Sequence, residues 1–565
     1  MVPKVAVIFF IGLILCHRPN AHHHGPWSPP YERRRCAFGN NCWPDHATWT
    51  AFNDSISGRL VRSFPSAARC HEAQYDEQLC QIVRDNWDNS FWRTNQTGAY
   101  SAILWELGND RCFINSSVSA PCGQGLVPYY SVAAQEVSDI QAAVRFANYK
   151  DLYLVVKNTG HSHLGRSSGK NALSIWTHNL KGKQWHDSFV PVGAPRDTQG
   201  QGAVTLQAGE QWLDVYEAAA EQGVIVVGGN ARTVGTSGGY VTGGGHSAWA
   251  NKYGLATDNL LEVTIVTATG DHEILNTFTD PGYFYAVRGG GGSAWGVIIS
   301  VTYKTHPNPS HLQLGLVQFN ATGSSAVRTV QSAVMKSLVD ITSAGYTGYG
   351  VFDQGFSGIF IQPNGTNETF VEAFAPFYQL STYPNVSAVI GNFTLPSWID
   401  YCDAFLTDPN IGTNIQDASR LLTADILLNK TDDLIDMISD FPDAPSGFNF
   451  IGKVNPTNRA NTAVNSVWDF SHALLSFGID WADDEPAHVK TERKQRLVEI
   501  SRRFDAVIGP DGGTYINEAN PYEPEWQRVF WGDKYETLLK IKHRVDPTNL
   551  FVCNRCVGTD IIFEP

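Results

Sequence analysis

His161 stands at the tip of V-V-K-N-T-G-H-S-H-L-G (155–165), where an apolar run over residues 152–156 enters a turn of small residues. Gly160 and Gly165 leave backbone N–H groups uncovered, so Asn158, Thr159, Gly160, Ser162 and Gly165 can approach phosphate oxygens closely. Two further glycine blocks echo this one. T-V-G-T-S-G-G-Y-V-T-G-G-G (233–245) carries Thr233, Val234, Gly235, Gly238 and Gly239, and R-G-G-G-G-S-A-W-G (288–296) follows. Three glycine-dense turns among short strands predict a wall folded around a long phosphorylated cofactor. A nicotinamide Rossmann site needs G-x-G-x-x-G between a strand and a helix, and no block has that context. His163 and His246 flank these turns; each can take a hydroxyl proton near neutral pH or sit inert against backbone carbonyls.

The elements that must hold these turns alternate between strand and helix. Val137, Ile140, Ala143, Val144 and Ala147 form one helical face, with Ser138 as the expected N-cap. A second unit reads strand 203–207, helix 212–222 and strand 223–227. L-L-E-V-T-I-V-T-A-T-G-D supplies a further strand pair, and 297–305 is another β-rich run. From 310 to about 505, strand-like runs at 312–319, 348–361, 446–453 and 472–481 alternate with helices expected at 325–344, 418–441 and 486–508. That order predicts a seven-strand sheet covered on one face by helices. The tail carries Tyr515 and Asn517, a helix at 535–543 and a proline stop.

Lys4 precedes an apolar run over 5–16, too short to span a bilayer, and Ala21 offers a small residue for cleavage. Residues 1–21 therefore read as a signal peptide, and no later stretch is apolar enough to serve as a membrane anchor. His22, His23 and His24 then form an exposed terminus, and no metal site is expected. In an oxidising compartment the simplest bridges are Cys36–Cys42, Cys70–Cys80 and Cys112–Cys122; Cys553-N-R-Cys556 reads as a tight disulfide or free thiols, with Cys402 left over. Sequons for N-glycans begin at Asn53, Asn95, Asn115, Asn320, Asn364, Asn367, Asn385, Asn392 and Asn429. None falls between 118 and 317, as a buried cofactor domain requires. The net charge of -14 and the lack of a basic run exclude a nucleic-acid partner. Secretion is expected, with the vacuole or ER lumen as the alternative.

With these blocks in view, the chain resembles the FAD-linked oxidases of the vanillyl-alcohol-oxidase and p-cresol-methylhydroxylase (PCMH) superfamily. Its berberine-bridge-enzyme-like branch is nearest, and among its members the secreted fungal isoamyl-alcohol-oxidase type. The matching motifs are the first loop, T-V-G-x-G-G-x-x-G-G-G at 233–245, apart from Ser237 and one residue of spacing, G-L-A-x-D-N at 254–259 and R-G-G-G-G-x-x-x-G at 288–296. Y-x-N at 515–517 and K-x-x-x-D-P-x-N-x-F at 542–551 complete the set. The resemblance implies an α+β fold: a two-part FAD-binding PCMH-type domain (125–309 and 509–565) with an inserted antiparallel-sheet substrate domain (310–508), preceded by a disulfide-stapled region (22–124).

It implies FAD as cofactor, linked through His161 to the flavin 8α-methyl. Many relatives add a cysteine link, but Ala231 holds that position, so a single link is expected. His163 and His246 replace two tyrosines of the family and become candidate bases. Asp480 is the candidate base on the substrate sheet, weighed against a plain exposed acidic cluster. Tyr515 and Asn517 are expected at the redox face of the flavin, and Asp258 in a structural role nearby. Val234 favours reaction with O2. The activity implied is hydride removal from an alcohol or related small molecule, with H2O2 as co-product. The alternatives are a biosynthetic oxidoreductase acting on a fungal secondary metabolite by oxidation, cyclisation or desaturation, and a catalytically inert flavin-binding protein.

Overall fold

The computed structural model describes residues 35–559 except 353, 409, 451, 453 and 455–460. The expected signal peptide and His22, His23 and His24 lie outside the described residues. Three sheets follow one another along the chain. The first joins β1 (Leu60–Arg62), β2 (Tyr130–Ala133), β3 (Leu154–Lys157) and β4 (Leu173–Trp176) in the order β1-β2-β4-β3. β4 runs parallel to both β2 and β3, so the β2-to-β3 connection is a crossover, made by the helix Val137–Tyr149. That helix is capped at Glu136 rather than at the expected Ser138. The reason is Asp139, whose buried carboxylate accepts from the N–H groups of Gln135 and Glu136 and is bridged by Arg59 at 2.6 Å.

The second sheet contains β5 (Lys183–Phe189), β6 (Gln201–Gln207), β7 (Val224–Val226), β8 (Leu260–Val266), β9 (His272–Leu275) and β10 (Val297–Pro307). Its order is β5-β6-β10-β8-β9, with β7 on the far end of β10. β10 is the spine, because its eleven residues are long enough to pair with β6, β7 and β8.

The third sheet has seven antiparallel strands: β11 (Leu312–Ala321), β12 (Thr347–Phe352), β13 (Gly355–Pro363), β14 (Val386–Leu395), β15 (Asn414–Thr423), β16 (Ser446–Phe450) and β17 (Ser471–Trp481). The order is β14-β11-β13-β12-β16-β17-β15. The helices Ser324–Ser343, Thr431–Asp440 and Ala487–Ile508 cover one face, burying Val334, Leu338, Phe360, Phe374, Phe477 and Phe504 between them. The opposite face is left for the site. Two expectations are corrected here. The run 348–361 is two strands, β12 and β13. The helix expected at 418–441 begins instead as strand β15, paired along its length with β17, and only Ala424–Asn429 and Thr431–Asp440 are helical. Ala418, Leu421 and Leu422 imitate helical spacing, but a ten-residue antiparallel register with β17 holds the segment extended, which local propensity cannot match.

The N-terminal region is structurally committed to the rest. β1 extends the first sheet, and Tyr100, Leu104 and Trp105 join the core beneath the third. A buried Arg93–Glu106 pair at 2.8 Å lies beside Lys157, whose ammonium donates to the Gln96 carbonyl. Burial lowers the Lys157 pKa to about 7. Cys36–Cys42, Cys70–Cys80, Cys112–Cys122 and Cys553–Cys556 are bridged; Cys402 is buried and free. Among the described residues, no helix is long and apolar enough to cross a membrane.

Candidate functional site

A cavity of about 590 Å³ lies between the glycine turns and the open face of the seven-stranded sheet. Asn158, Thr159, Gly160, His161, Ser162 and His163 line it from the turn after β3; Val234, Gly235, Gly238 and Gly239 line it from the second block. Tyr515, Asn517 and His246 complete that side. The structure thus brings thirteen of the seventeen candidate residues to one space.

The other four are placed differently. Thr233 is buried just behind the wall, its Oγ1 2.7 Å from His161 Nε2. Gly165 packs rather than lines: its φ is +68°, and a Cβ there would lie 2.3 Å from the Trp105 ring. Asp258 caps a turn by accepting from the Leu255 N–H at 2.9 Å. Asp480 pairs with Ile415 at the end of β17, exposed and outside the lining. The carboxylate that enters from this sheet is Asp417, two residues along β15 and opposite Gly478. A Cβ on Gly478 would lie 3.4 Å from Asp417 Oδ1, so the glycine leaves that carboxylate room.

The site contains two histidine–carboxylate pairs. His163 Nδ1 is 2.7 Å from Asp417 Oδ2. His246 Nε2 is 2.9 Å from Glu518 Oε1, and Asn449 Nδ2 donates to Glu518 Oε2 at 2.8 Å. Partial desolvation against the cavity wall opposes charge on the half-exposed His163 ring, but the hydrogen bond and charge of Asp417, with Glu518 behind it, raise its pKa overall. Burial likewise opposes ionisation of Glu518 and is outweighed by His246, His163 and Asn449, so its pKa falls. His161 differs. Burial lowers its pKa to about 4 despite Asp408 nearby, leaving a neutral imidazole. Burial raises the Tyr515 pKa, and its hydroxyl oxygen accepts from Asn517 Nδ2 at 2.8 Å.

Asp417, Glu518 and Asn449 were not singled out from the sequence. Asp417 borders the expected helix, whereas Glu518 directly follows Y-I-N, and that adjacency is the signal that could have found it. The N-terminal region also shapes the site. Ser101 and Ala102 line the cavity, Ser101 N donates to the Gly160 carbonyl, and Trp105 Nε1 donates to the His163 carbonyl. On the far side, Arg166 donates to the carbonyls of Asn554 and Arg555, and Asn554 Nδ2 donates to Leu164 O. The bridged Cys553 and Cys556 rest on the Gly292 carbonyl of the third block.

These walls fit a dinucleotide. Asn158 Oδ1 is buried in the cavity wall without a protein partner, and a Cβ on Gly239 would meet no protein atom within 4 Å. Both are what a ligand threaded past these loops would use.

The profile of the FAD binding domain family matches residues 128–276, and that of the berberine and berberine-like family matches 514–557. The chain is 55% identical over 545 residues to an uncharacterized FAD-linked oxidoreductase of Arthroderma benhamiae, covering 95% of this chain and 96% of that one. It is 32% identical to the FAD-linked oxidoreductase ZEB1 of Gibberella zeae, covering 93% of each. Among solved structures, the VAO-type flavoprotein MtVAO615 of Myceliophthora thermophila superposes with a TM-score of 0.85 at 28% identity, covering 93% of this chain and 97% of that one. The glycine cradle, the sheet above it and these likenesses agree: the chain belongs to the FAD-linked oxidoreductases of the VAO and berberine-bridge-enzyme family.

Proposed function

We propose that the protein is a secreted, N-glycosylated oxidase, its FAD held by one covalent bond to His161, that takes a hydride from an alcohol or related small molecule and delivers the electrons to O2 as H2O2. The observation that carries this reading is the pair of carboxylate-bound histidines inside a cavity whose opposite wall is the glycine cradle. When bound, FAD supplies the hydride acceptor and the reaction with oxygen. The chain supplies the rest. Asn158, Thr159, Gly160, Ser162 and Gly235, with Gly238 and Gly239, hold the cofactor by backbone and short side chains. Thr233 fixes the His161 ring, and burial keeps that ring unprotonated, so that it retains the lone pair that attachment requires.

Ala231 lines the cavity with a methyl group, which offers no second point of attachment. His246, with a carboxylate behind it, takes the substrate proton; His163 and Asp417 act from the more open side. Tyr515 and Asn517 orient the substrate. Asp480 is too exposed to serve as the base. Val234 lines the cavity as a compact aliphatic residue and leaves room for oxygen. Secretion is supported by the bridged cysteines and by exposed sequon residues Asn115, Asn320, Asn364, Asn367, Asn385 and Asn429.

The test is acid precipitation of the purified glycoprotein, peptide mapping of the yellow fraction and a peroxide assay against a panel of alcohols and sugars. Flavin in the pellet on a His161 peptide, with peroxide from at least one donor, is expected. Flavin in the supernatant would overturn the covalent link. Bound flavin that no donor reduces would favour an inert binding protein.

A further inference from the structure

We propose that Glu518 is a positioning residue: its carboxylate fixes His246 in the tautomer that leaves Nδ1 as the atom that accepts the substrate proton. This rests on the oxidase reading above but concerns a residue that the family motifs do not contain.

The argument is one of valence. Both carboxylate oxygens of Glu518 are engaged, Oε2 by the Asn449 amide N–H at 2.8 Å and Oε1 by His246 Nε2 at 2.9 Å. An ionised carboxylate only accepts, so the hydrogen between Glu518 and His246 belongs to Nε2. In the neutral ring the lone pair is then on Nδ1. A mere ion pair would not need this precision, yet every part of the arrangement is held. Ser419 Oγ donates to the Glu518 carbonyl at 2.6 Å and is itself 2.7 Å from Thr514 Oγ1, tying the turn Ile516–Glu518 to β15. Tyr240 Oη donates to the His246 carbonyl at 2.9 Å, and the Tyr515 ring stands edge-on to the imidazole at 5.0 Å. The ring has little freedom to turn.

The balance closes within this group. The substrate O–H bond breaks, an N–H bond forms at Nδ1, and the resulting imidazolium remains paired with the Glu518 carboxylate. The hydride that leaves carbon goes to the oxidised flavin. His246 is buried and His163, at 41% side-chain exposure, is not. Of the two histidines, the proton-abstracting role therefore falls to the one shielded from bulk water.

The test uses the holoprotein with 15N-labelled histidine, the His246 signals being assigned by their loss in His246→Gln. A single Nε2–H tautomer is expected in the native protein and a mixed or inverted population in Glu518→Gln. Anaerobic flavin reduction in that variant should slow by about 10²- to 10⁴-fold, the range of general-base effects, with little change in KM; Glu518→Asp should recover part of the rate. Flavin content and Tm verify folding, and Asn449→Ala gives a second variant that keeps the carboxylate and should lose only a small part of the rate. An unchanged tautomer in Glu518→Gln, or a reduction rate within about threefold of the native one, overturns the proposal. If no donor reduces the native flavin, the oxidase reading falls, while the tautomer measurement still decides the role of Glu518.

Discussion

His163 and Asp417 stand 254 positions apart in the chain and 2.7 Å apart in space, so a hydrogen bond joins the first glycine turn to the seven-stranded sheet. The sign of its contribution follows from the raised His163 pKa. The pair's stabilisation is fully present below the ordinary value of 6.5 and is lost as pH rises through the folded-state value. Asp417→Asn should lower the unfolding free energy more at pH 5.5 than at pH 8.5, by less than about 1 kcal/mol because the pair is partly solvated. Equal losses at both pH values would disprove the linkage.

Gly239 separates packing from cofactor binding. A Cβ there meets no protein atom within 4 Å, and the residue lines the cavity. Gly239→Val should therefore fold and keep its Tm as apoprotein, yet lose most of its yellow flavin absorbance per protein. Gly228→Val is the contrast, since its Cβ would lie 2.3 Å from the Trp212 ring and the fold itself should suffer. Full flavin occupancy in Gly239→Val would place the cofactor elsewhere.

Arg420 holds the underside of β15. Its guanidinium donates to both oxygens of Glu523, at 2.9 and 2.8 Å, with both side chains buried. Removing one partner strands a buried charge, so Glu523→Ala should cost about 3–5 kcal/mol in chemical denaturation. A loss below about 1 kcal/mol would mean that Asp505, 3.1 Å from Arg420, suffices alone.

Lys157 gives the opposite pH signature to His163. Its folded pKa, about 7, lies below the ordinary 10.5, so the unfolded chain binds more protons between these values. Its burial penalty is complete below about pH 7 and fades toward pH 10.5. Compared with Lys157→Met, the native protein should gain relative stability as pH rises through that window. A difference in Tm that does not change with pH would refute this.

The glycine turns were legible because close backbone approach leaves few alternatives to glycine, and residues of all three line one cavity. The cysteine pairs were legible because each lies within a short span of chain. Asp417 was not. Its strand carries apolar residues at helical spacing on its sequence, and only the partner strand β17 makes the extended form favourable. Asp480 illustrates a second limit: the strand was found, but how far a cavity extends along a strand depends on what faces it, and that wall is built by distant turns. The part that the N-terminal region plays was not legible, because its contacts to the site run through backbone groups such as Ser101 N–H and the His163 carbonyl, which sequence does not mark.

The grip of the Cys553–Cys556 turn on Arg166 and Leu164, with Phe551 bridging to Leu154, sets an order of assembly. While the chain is being synthesised, the glycine turns emerge long before the segment that braces them, so the cradle stays unbraced until the last residues leave the ribosome. A chain ending before Phe551 would therefore carry all three glycine turns without the segment that braces Arg166, Leu164 and Leu154.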